Sequence, residues 1–415
     1  MHCCIYEDGQ AGNFLPLTYF RPLYDLRCGA FTLRQRAVAF LRPRRLSLHV
    51  RSYLRELVLE ESPECEVGTI SSDSCLFLNG RVLPDSRLVR ILRKATPDTV
   101  FRSGTTVVAA HLGGRALNRV KAALAGDVLT DDLFDGITTV DVGASLLTIP
   151  LDAVYANESL LASDLAILGR AHRGKRGSAH RTAILVNRKQ IMLGAGSIVG
   201  PGAVLDATDG PIHVGKGARI YPGAVVEGPC LIGDGSQVKI GAKIYGNTSI
   251  GPVCKVGGEV EHCILHSHVN KQHDGFLGHA YLGMWVNLGA GTTTSNLKNT
   301  YGTIRQTING TLVDTGRMFA GLTAGDHTKT GINATIDTGT ILGVSCNIYG
   351  TTLPPKLVPS FSWGSGSELT TYDPDRALDV AVRVMARRDV VASETYRRVF
   401  RTVFALTRNE RTERT

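Results

Sequence analysis

The sequence is most informative first for what it lacks. No apolar run approaches the roughly 18–20 residues that a membrane span needs. The opening residues, MHCCIYEDGQ, have neither the positive flank nor the apolar core of a secretory signal. The chain is therefore expected to be soluble and cytoplasmic, with no membrane partner. Its nine cysteines include no Cys-x-x-Cys pair, and Cys3–Cys4 adjacency with an odd total argues against a disulfide framework. Aromatic residues are scarce, at 6 %. Few of them fall between the arginines of 34–55 or of the C-terminal segment, where much of the +9 net charge lies. Basic stretches without stacking residues do not favour nucleic acid. Anionic small molecules such as sugar phosphates and coenzyme A suit the charge at least as well.

What the sequence does contain is a period of six. Leu193, Val199 and Leu205 are followed by a short insertion, and the series resumes at Val214, Ile220, Val226, Ile232, Val238, Ile244, Ile250 and Val256. Four positions after successive members stands a small residue: Ala218, Ala224, Cys230, Ser236, Ala242, Thr248 and Cys254. Period six excludes an α-helix, whose repeat is 3.6. Three hexads per triangular coil, stacked about 4.8 Å apart, put the aliphatic residue inside the prism and the small one near a corner. This predicts a parallel β-helix from about Leu193 to Leu353, left-handed as hexapeptide repeats are. The register fails between His262 and Phe276. It resumes at Leu282 and Leu288, and again at Leu312, Met318, Ala324, Thr330, Ile336, Leu342 and Ile348, with an extruded loop read over Thr294–Ile304. Regular coils explain themselves, so the two interruptions are where function is expected.

Elsewhere the patterns are mixed. Strands are expected at Cys3–Tyr6 and Ser74–Leu78, and helices at Thr32–Leu41, Arg87–Arg93 and Gly114–Ala125, the alternation of an α/β domain. Residues 1–171 form that domain, 172–183 a basic linker, and 184–358 the β-helix. Residues 359–415 hold a coil and a C-terminal amphipathic helix or helix pair, expected to pack on the β-helix or on a neighbouring subunit.

Two sets of residues carry a family resemblance. Leu15-Pro16-Leu17-Thr18, Arg21-Pro22 and Leu26-Arg27-Cys28-Gly29 resemble the start of sugar nucleotidyltransferases. Gly278-His279-Ala280-Tyr281-Leu282-Gly283, Val286-Asn287-Leu288-Gly289-Ala290-Gly291-Thr292 and Ser295-Asn296 resemble the acetyltransferase half of the bifunctional N-acetylglucosamine-1-phosphate uridyltransferase/glucosamine-1-phosphate acetyltransferase family. The chain looks like a divergent branch of it. The resemblance implies an α/β nucleotidyltransferase-like domain and a β-helix acyltransferase domain, assembled as a homotrimer with its site between subunits. It also implies acetyl-CoA as acyl donor, sugar phosphate and nucleotide substrates, and Mg²⁺ at the nucleotidyl site. The N-terminal motif departs from the family. Asp8-Gly9-Gln10-Ala11-Gly12-Asn13-Phe14 has Phe where a phosphate-loop arginine is expected, and Arg81 stands at the expected metal-binding Asp. Arg21 or Arg27 would then replace the usual lysine, and Asn157 or Asp164 would ligate Mg²⁺.

Acyl transfer from a thioester to an amine needs a base, and histidine suits that role near neutrality. By resemblance His279 is the base, Asn287 binds the sugar, and Asn296 positions the acetyl group or the amine. Tyr281 and Lys271 would meet phosphate, and Ala290 would line the coenzyme slot. Lys329, in the second polar cluster Gly325-Asp326-His327-Thr328-Lys329, is a further cofactor-binding candidate, with His327 the reserve base. Two other readings stand beside this one. The histidine-dense run His262, His266, His268, His273 and His279 raises a trimeric zinc lyase of the carbonic anhydrase kind, and a non-catalytic sugar-nucleotide-binding scaffold is the third.

Overall fold

A computed structural model describes residues 1–171, 177–366 and 368–412. Most of the expected basic linker (172–176) lies outside the described residues. The N-terminal domain is built on a seven-stranded mixed sheet in the order Glu66–Val67, Arg45–Leu48, His2–Tyr6, Ser74–Asn79, Thr106–Gly113, Thr99–Ser103, Thr138–Asp141. Its central strands are apolar on both sides because helices and loops cover both faces. The helix Leu33–Leu41 starts where expected because Thr32 and Gln35 cap each other reciprocally. A 22-residue helix, Pro150–Ala171, was not predicted. It carries the chain to the β-helix and packs Leu161 and Leu165 against Leu231.

From Ser178 onward the chain visits three parallel sheets in turn, as in a left-handed β-helix. The first face begins with Ser178–Ala179, the second with Ile184–Val186 and the third with Ile191–Leu193. The aliphatic hexad positions and the small residues four places on are buried together in one core. The third face turns outward to the N-terminal domain: Ile264 and Tyr281 join its core, and the Ser249 hydroxyl donates to Asn157 Oδ1 on the long helix.

Two expectations about register are corrected. Between His262 and Phe276 the coils do not stop. Val256 pairs with Lys271, Ile250 with Leu265 and Val260 with Leu277; only the turns are shorter, so the count of six breaks while the ladder continues. Conversely, Leu312 and Met318 keep the count but not the coil. They are 58 % and 45 % exposed, on a segment that carries the antiparallel hairpin Arg305–Ile308/Thr311–Asp314. The ladder resumes at Thr323–Ala324, paired with Tyr281–Leu282. The extrusion is therefore longer than the loop read from the sequence.

The C-terminal segment is a helix pair, Pro374–Ala386 and Glu394–Leu406. It wedges between the two domains: the Phe400 ring lies 5.6 Å from Phe20 and 5.4 Å from Phe361. The Tyr396 hydroxyl meets His327 Nε2 at 2.5 Å.

Candidate active site

The corner between the second and third faces gathers a column of polar side chains. Asn247, His262 and His279 occupy it on successive coils, each in the left-handed backbone region (φ 58°, 49° and 45°). Asn and His tolerate that region better than most side chains. Coil stacking sets the spacing: the His262 and His279 rings are parallel, 4.8 Å apart with an interplanar angle of 2°, close to the strand repeat. Asn247 Nδ2 meets His262 Nε2 at 3.0 Å. The extruded segment leaves from this same corner. Its return residue Phe319 stacks on the other side of His279 at 5.0 Å, and Ala320 N–H donates to Asn296 O at 2.9 Å. From the long helix, Tyr155 donates its hydroxyl to Phe319 O at 2.9 Å and carries Arg317 over its ring at 4.2 Å.

Within this notch Asn296 Nδ2 lies 3.0 Å from His279 Nδ1. Among the described residues no hydrogen bond is made to Nε2. Burial and the neighbouring His262 push the His279 pKa down to about 4, so its ring is neutral at physiological pH. An amide N–H facing Nδ1 places the ring proton on Nε2. Rotating the Asn296 amide by half a turn lets Nδ1–H donate to Oδ1 and frees the Nε2 lone pair as an acceptor. His279 and Asn296 are thus brought together in a geometry that can orient a base.

Asn287 and Lys329 are also neighbours, but on the first face. Asn287 bridges Asn270 on one side and Lys329 on the other; its Oδ1 accepts from Asn270 Nδ2 at 2.5 Å, and Lys329 Nζ donates to His327 O at 2.7 Å. Ala290 lies at the corner between the first and second faces, where its carbonyl accepts from Asn333 N at 2.7 Å. Within one chain these three do not share a surface with His279.

Six other expectations are corrected by what the side chains touch. Lys271, expected to meet phosphate, takes an inward coil position instead, is 2 % exposed, and donates to His273 O at 2.8 Å. Tyr281 faces the N-terminal domain and donates to Arg27 O at 2.9 Å, so its hydroxyl docks domains instead of meeting phosphate. Arg21 is buried in an ion pair with Asp326 that crosses from one domain to the other. Arg27 is buried as well, donating to the carbonyls of Ala30 (3.0 Å) and His266 (3.3 Å). Asn157 accepts from Gly29 N (2.8 Å) and Ser249 Oγ (2.9 Å) and donates to Asn247 O (2.8 Å). Asp164 accepts from Ala30 N at 2.9 Å and pairs with Arg36. With their oxygens committed in this way, Asn157 and Asp164 do not fit a Mg²⁺ site.

The zinc reading, which draws its histidines from more than one subunit, gains no support within one chain. His262 and His279 share one corner, His268 occupies another, and His266 points to Asp25 O on the docking face at 2.9 Å. Among the described residues no three metal-ligating side chains converge.

The N-terminal loop that would cradle phosphates is tied to itself. The Gln10 and Ala11 N–H groups donate to Asp8, Asn13 N–H to Gln10 O and Leu15 N–H to Gly12 O. Arg81 holds the Asp8 carboxylate through Nε and Nη2 (2.6–3.0 Å), joined by Asn79 Nδ2 at 2.8 Å. The hairpin tip residue Asn309 lies directly over Gly12.

Sequence reasoning missed Asn247, Tyr155 and Phe319. For Asn247 a signal existed, a Gly-Asn step at a corner position of a regular coil. For the other two, which come from an unpredicted helix and the end of an insertion, periodicity offers none.

An α/β domain docked along one face of a left-handed β-helix defines the class of protein. Residues 3–173 match the sugar nucleotidyl transferase family. The chain is also similar to a bifunctional sugar-1-phosphate nucleotidylyltransferase/acetyltransferase of Sulfurisphaera tokodaii, with 31 % identity over 91 residues, 22 % of this chain and 23 % of that protein. A bifunctional protein GlmU of Cyanothece sp. is 27 % identical over 196 residues, 47 % of this chain and 35 % of the relative. The chain thus spans from 23 % to 35 % of the length of the curated relatives it matches. Among solved structures, a UDP-N-acetylglucosamine acyltransferase of Francisella novicida aligns with TM-score 0.33 and 11 % identity, covering 56 % of this chain and 92 % of that one.

Proposed function

We propose that this chain is a sugar-phosphate acyltransferase with an acyl thioester such as acetyl-CoA as donor, and that its α/β domain serves sugar-1-phosphate nucleotidyl transfer. The observation that carries the first part is the His279–Asn296 pair, a neutral imidazole with one nitrogen held and the other unbonded at an interrupted corner. In the reaction the amine nitrogen of an amino-sugar phosphate attacks the thioester carbonyl and the carbon–sulfur bond breaks. His279 Nε2 takes the proton from the attacking amine and passes it to the leaving thiolate, while Asn296 holds the ring through Nδ1. Phe319 and His262, stacked on either side, limit access of water, which competes for the thioester. Asn287 and Lys329 lie on another face of the same chain, so a site that contains them together with His279 requires a second copy. That requirement favours a homotrimer.

The second part rests on the family match of residues 3–173. Transfer there requires the loop to leave its present hydrogen bonds and Asp8 to part from Arg81, since both occupy the groups a nucleotide would use.

Thiol release from acetyl-CoA in the presence of glucosamine 1-phosphate tests the acyl reading. We expect release by the native chain and a loss of at least about 100-fold in His279→Gln, the scale of a removed general base. No release with a panel of amino-sugar phosphates contradicts it. Pyrophosphate release from UTP or dTTP with a sugar 1-phosphate tests the nucleotidyl reading separately.

A further inference from the structure

The segment extruded from the β-helix spans the distance between the His279 corner and the N-terminal loop. Its base is closed by an antiparallel bridge between Leu297 and Phe319. There the Phe319 ring stacks on His279 and its carbonyl accepts from the Tyr155 hydroxyl. Further out, Ile304 N–H donates to Arg317 O at 2.9 Å and Thr315 N–H to Ile304 O at 3.0 Å. The hairpin Arg305–Ile308/Thr311–Asp314 then carries the ribbon to its tip. Asn309 and Gly310 form that tip, both in the left-handed region (φ 48° and 79°), as a tight two-residue type I′ turn requires.

The two strands of the ribbon differ in their surroundings. On the outgoing strand Ile304, Gln306 and Ile308 are buried, and Ile304 belongs to the core of the N-terminal domain. On the return strand Thr311, Leu312 and Asp314 are exposed. The ribbon is therefore docked along one side and is no free arm. Docking sets its tip on the loop Asp8–Phe14. A Cβ added at Gly12 would meet Asn309 Nδ2 at 3.3 Å, whereas at Gly9 in the same loop nothing lies within 4 Å of the equivalent point. Glycine in a phosphate-binding loop serves by letting the anion approach the backbone closely. At Gly12 an amide side chain from the β-helix domain fills that approach.

We propose that the ribbon is an autoinhibitory strap, whose Asn309 tip closes the N-terminal loop against the polyphosphate of a nucleoside triphosphate and must lift before one binds. The inference rests on the nucleotidyl reading of the α/β domain and adds to it a closed state imposed by the other domain. A ligand that binds only the open state draws the chain toward it, with an affinity reduced by the fraction of chains that are open. The strap is hinged beside His279, so the element that closes one site is rooted at the other.

Calorimetric titration of the full chain provides the test, with UTP, dTTP, ATP, GTP and CTP in separate arms. Three proteins are compared. Beside the native chain stand Asn309→Gly, which suits a positive φ, and a form in which residues 305–314 are replaced by Asn-Gly. That shortened ribbon keeps its base, because Thr315 N–H already donates to Ile304 O as a two-residue turn requires. We expect one nucleotide to bind at least about tenfold more tightly to the shortened form and at least about threefold more tightly to Asn309→Gly, the inverse of the open fraction that the tip imposes. Amide hydrogen exchange over residues 8–14 should quicken in both. A contact that only supports the fold predicts weaker or unchanged binding. Either of those results, or unchanged exchange, overturns the strap while the nucleotidyl reading stands; no nucleotide bound by any of the three proteins overturns both. Asn309→Gly keeps the backbone pairing of the ribbon and carries the test should the shortened form not fold.

Discussion

The N-terminal loop and the second-to-third corner of the β-helix are both interrupted, polar and glycine-containing, yet they treat their polar groups in opposite ways. In the loop Asp8 is spent on Arg81 and Asn79, and the Gln10, Ala11, Asn13 and Leu15 N–H groups on oxygens of the loop itself. At the corner His279 is fixed at one nitrogen and open at the other, with aromatic rings above and below. Polarity alone does not distinguish a site from a structural network. Unspent hydrogen-bonding capacity on an otherwise immobilised side chain does.

The comparison can be broken from either end. The largest expected effect on stability lies in the loop. Removing one partner of the buried Asp8–Arg81 pair, as in Arg81→Met, leaves an uncompensated carboxylate and should cost about 3–5 kcal/mol, read as a lowered denaturant midpoint. A change under about 1 kcal/mol would mean that the pair is not buried as a network. At the corner, Asn296→Ala should leave the fold intact. It should reduce thiol release by about tenfold, the equivalent of about 1.4 kcal/mol and typical of a lost charge-assisted hydrogen bond; an unchanged rate would remove Asn296 from the site.

Acid should act on the histidines as a group. Burial holds His268 and His279 down to about 4 and His266 and His327 well below their usual range. The unfolded chain binds these protons near pH 6.5, so stability should fall as pH drops from about 6.5 toward 4. Asp25 and Asp164, pushed up to about 6 by burial, act in the opposite sense over the lower part of that window. A shallower pH dependence of the thermal midpoint in His268→Gln checks the sign. The smallest effect is expected at the docking face, where Tyr281→Phe removes one hydrogen bond worth about 1 kcal/mol without altering thiol release. A loss of activity there would restore Tyr281 to a substrate-binding role.

How far the sequence could be read follows from the same geometry. The hexad pattern dictates which side chains enter the prism wherever turns have constant length, hence the legible coils from Val214 to Val256. Lys271 was misplaced because a shortened turn moved it from a loop position in the count to the position below Val256. Leu312 and Met318 misled for the converse reason, being six apart on an exposed insertion. Tyr281, Arg21 and Asn157 were assigned to ligands when their partners lie in the other domain, and no period within one domain encodes docking between two. His279 and Asn296 were singled out one by one through the family resemblance, and neither their contact nor the ring stack beside it was legible in the sequence.

The account stands or falls on whether acyl-transfer chemistry resides at the corner. Thiol release from acetyl-CoA with glucosamine 1-phosphate should be measured for the native chain and for His279→Gln at matched thermal stability. We predict release by the native chain and at least a 100-fold loss in the variant, the scale of a removed general base. Equal release by the two proteins would contradict the assignment.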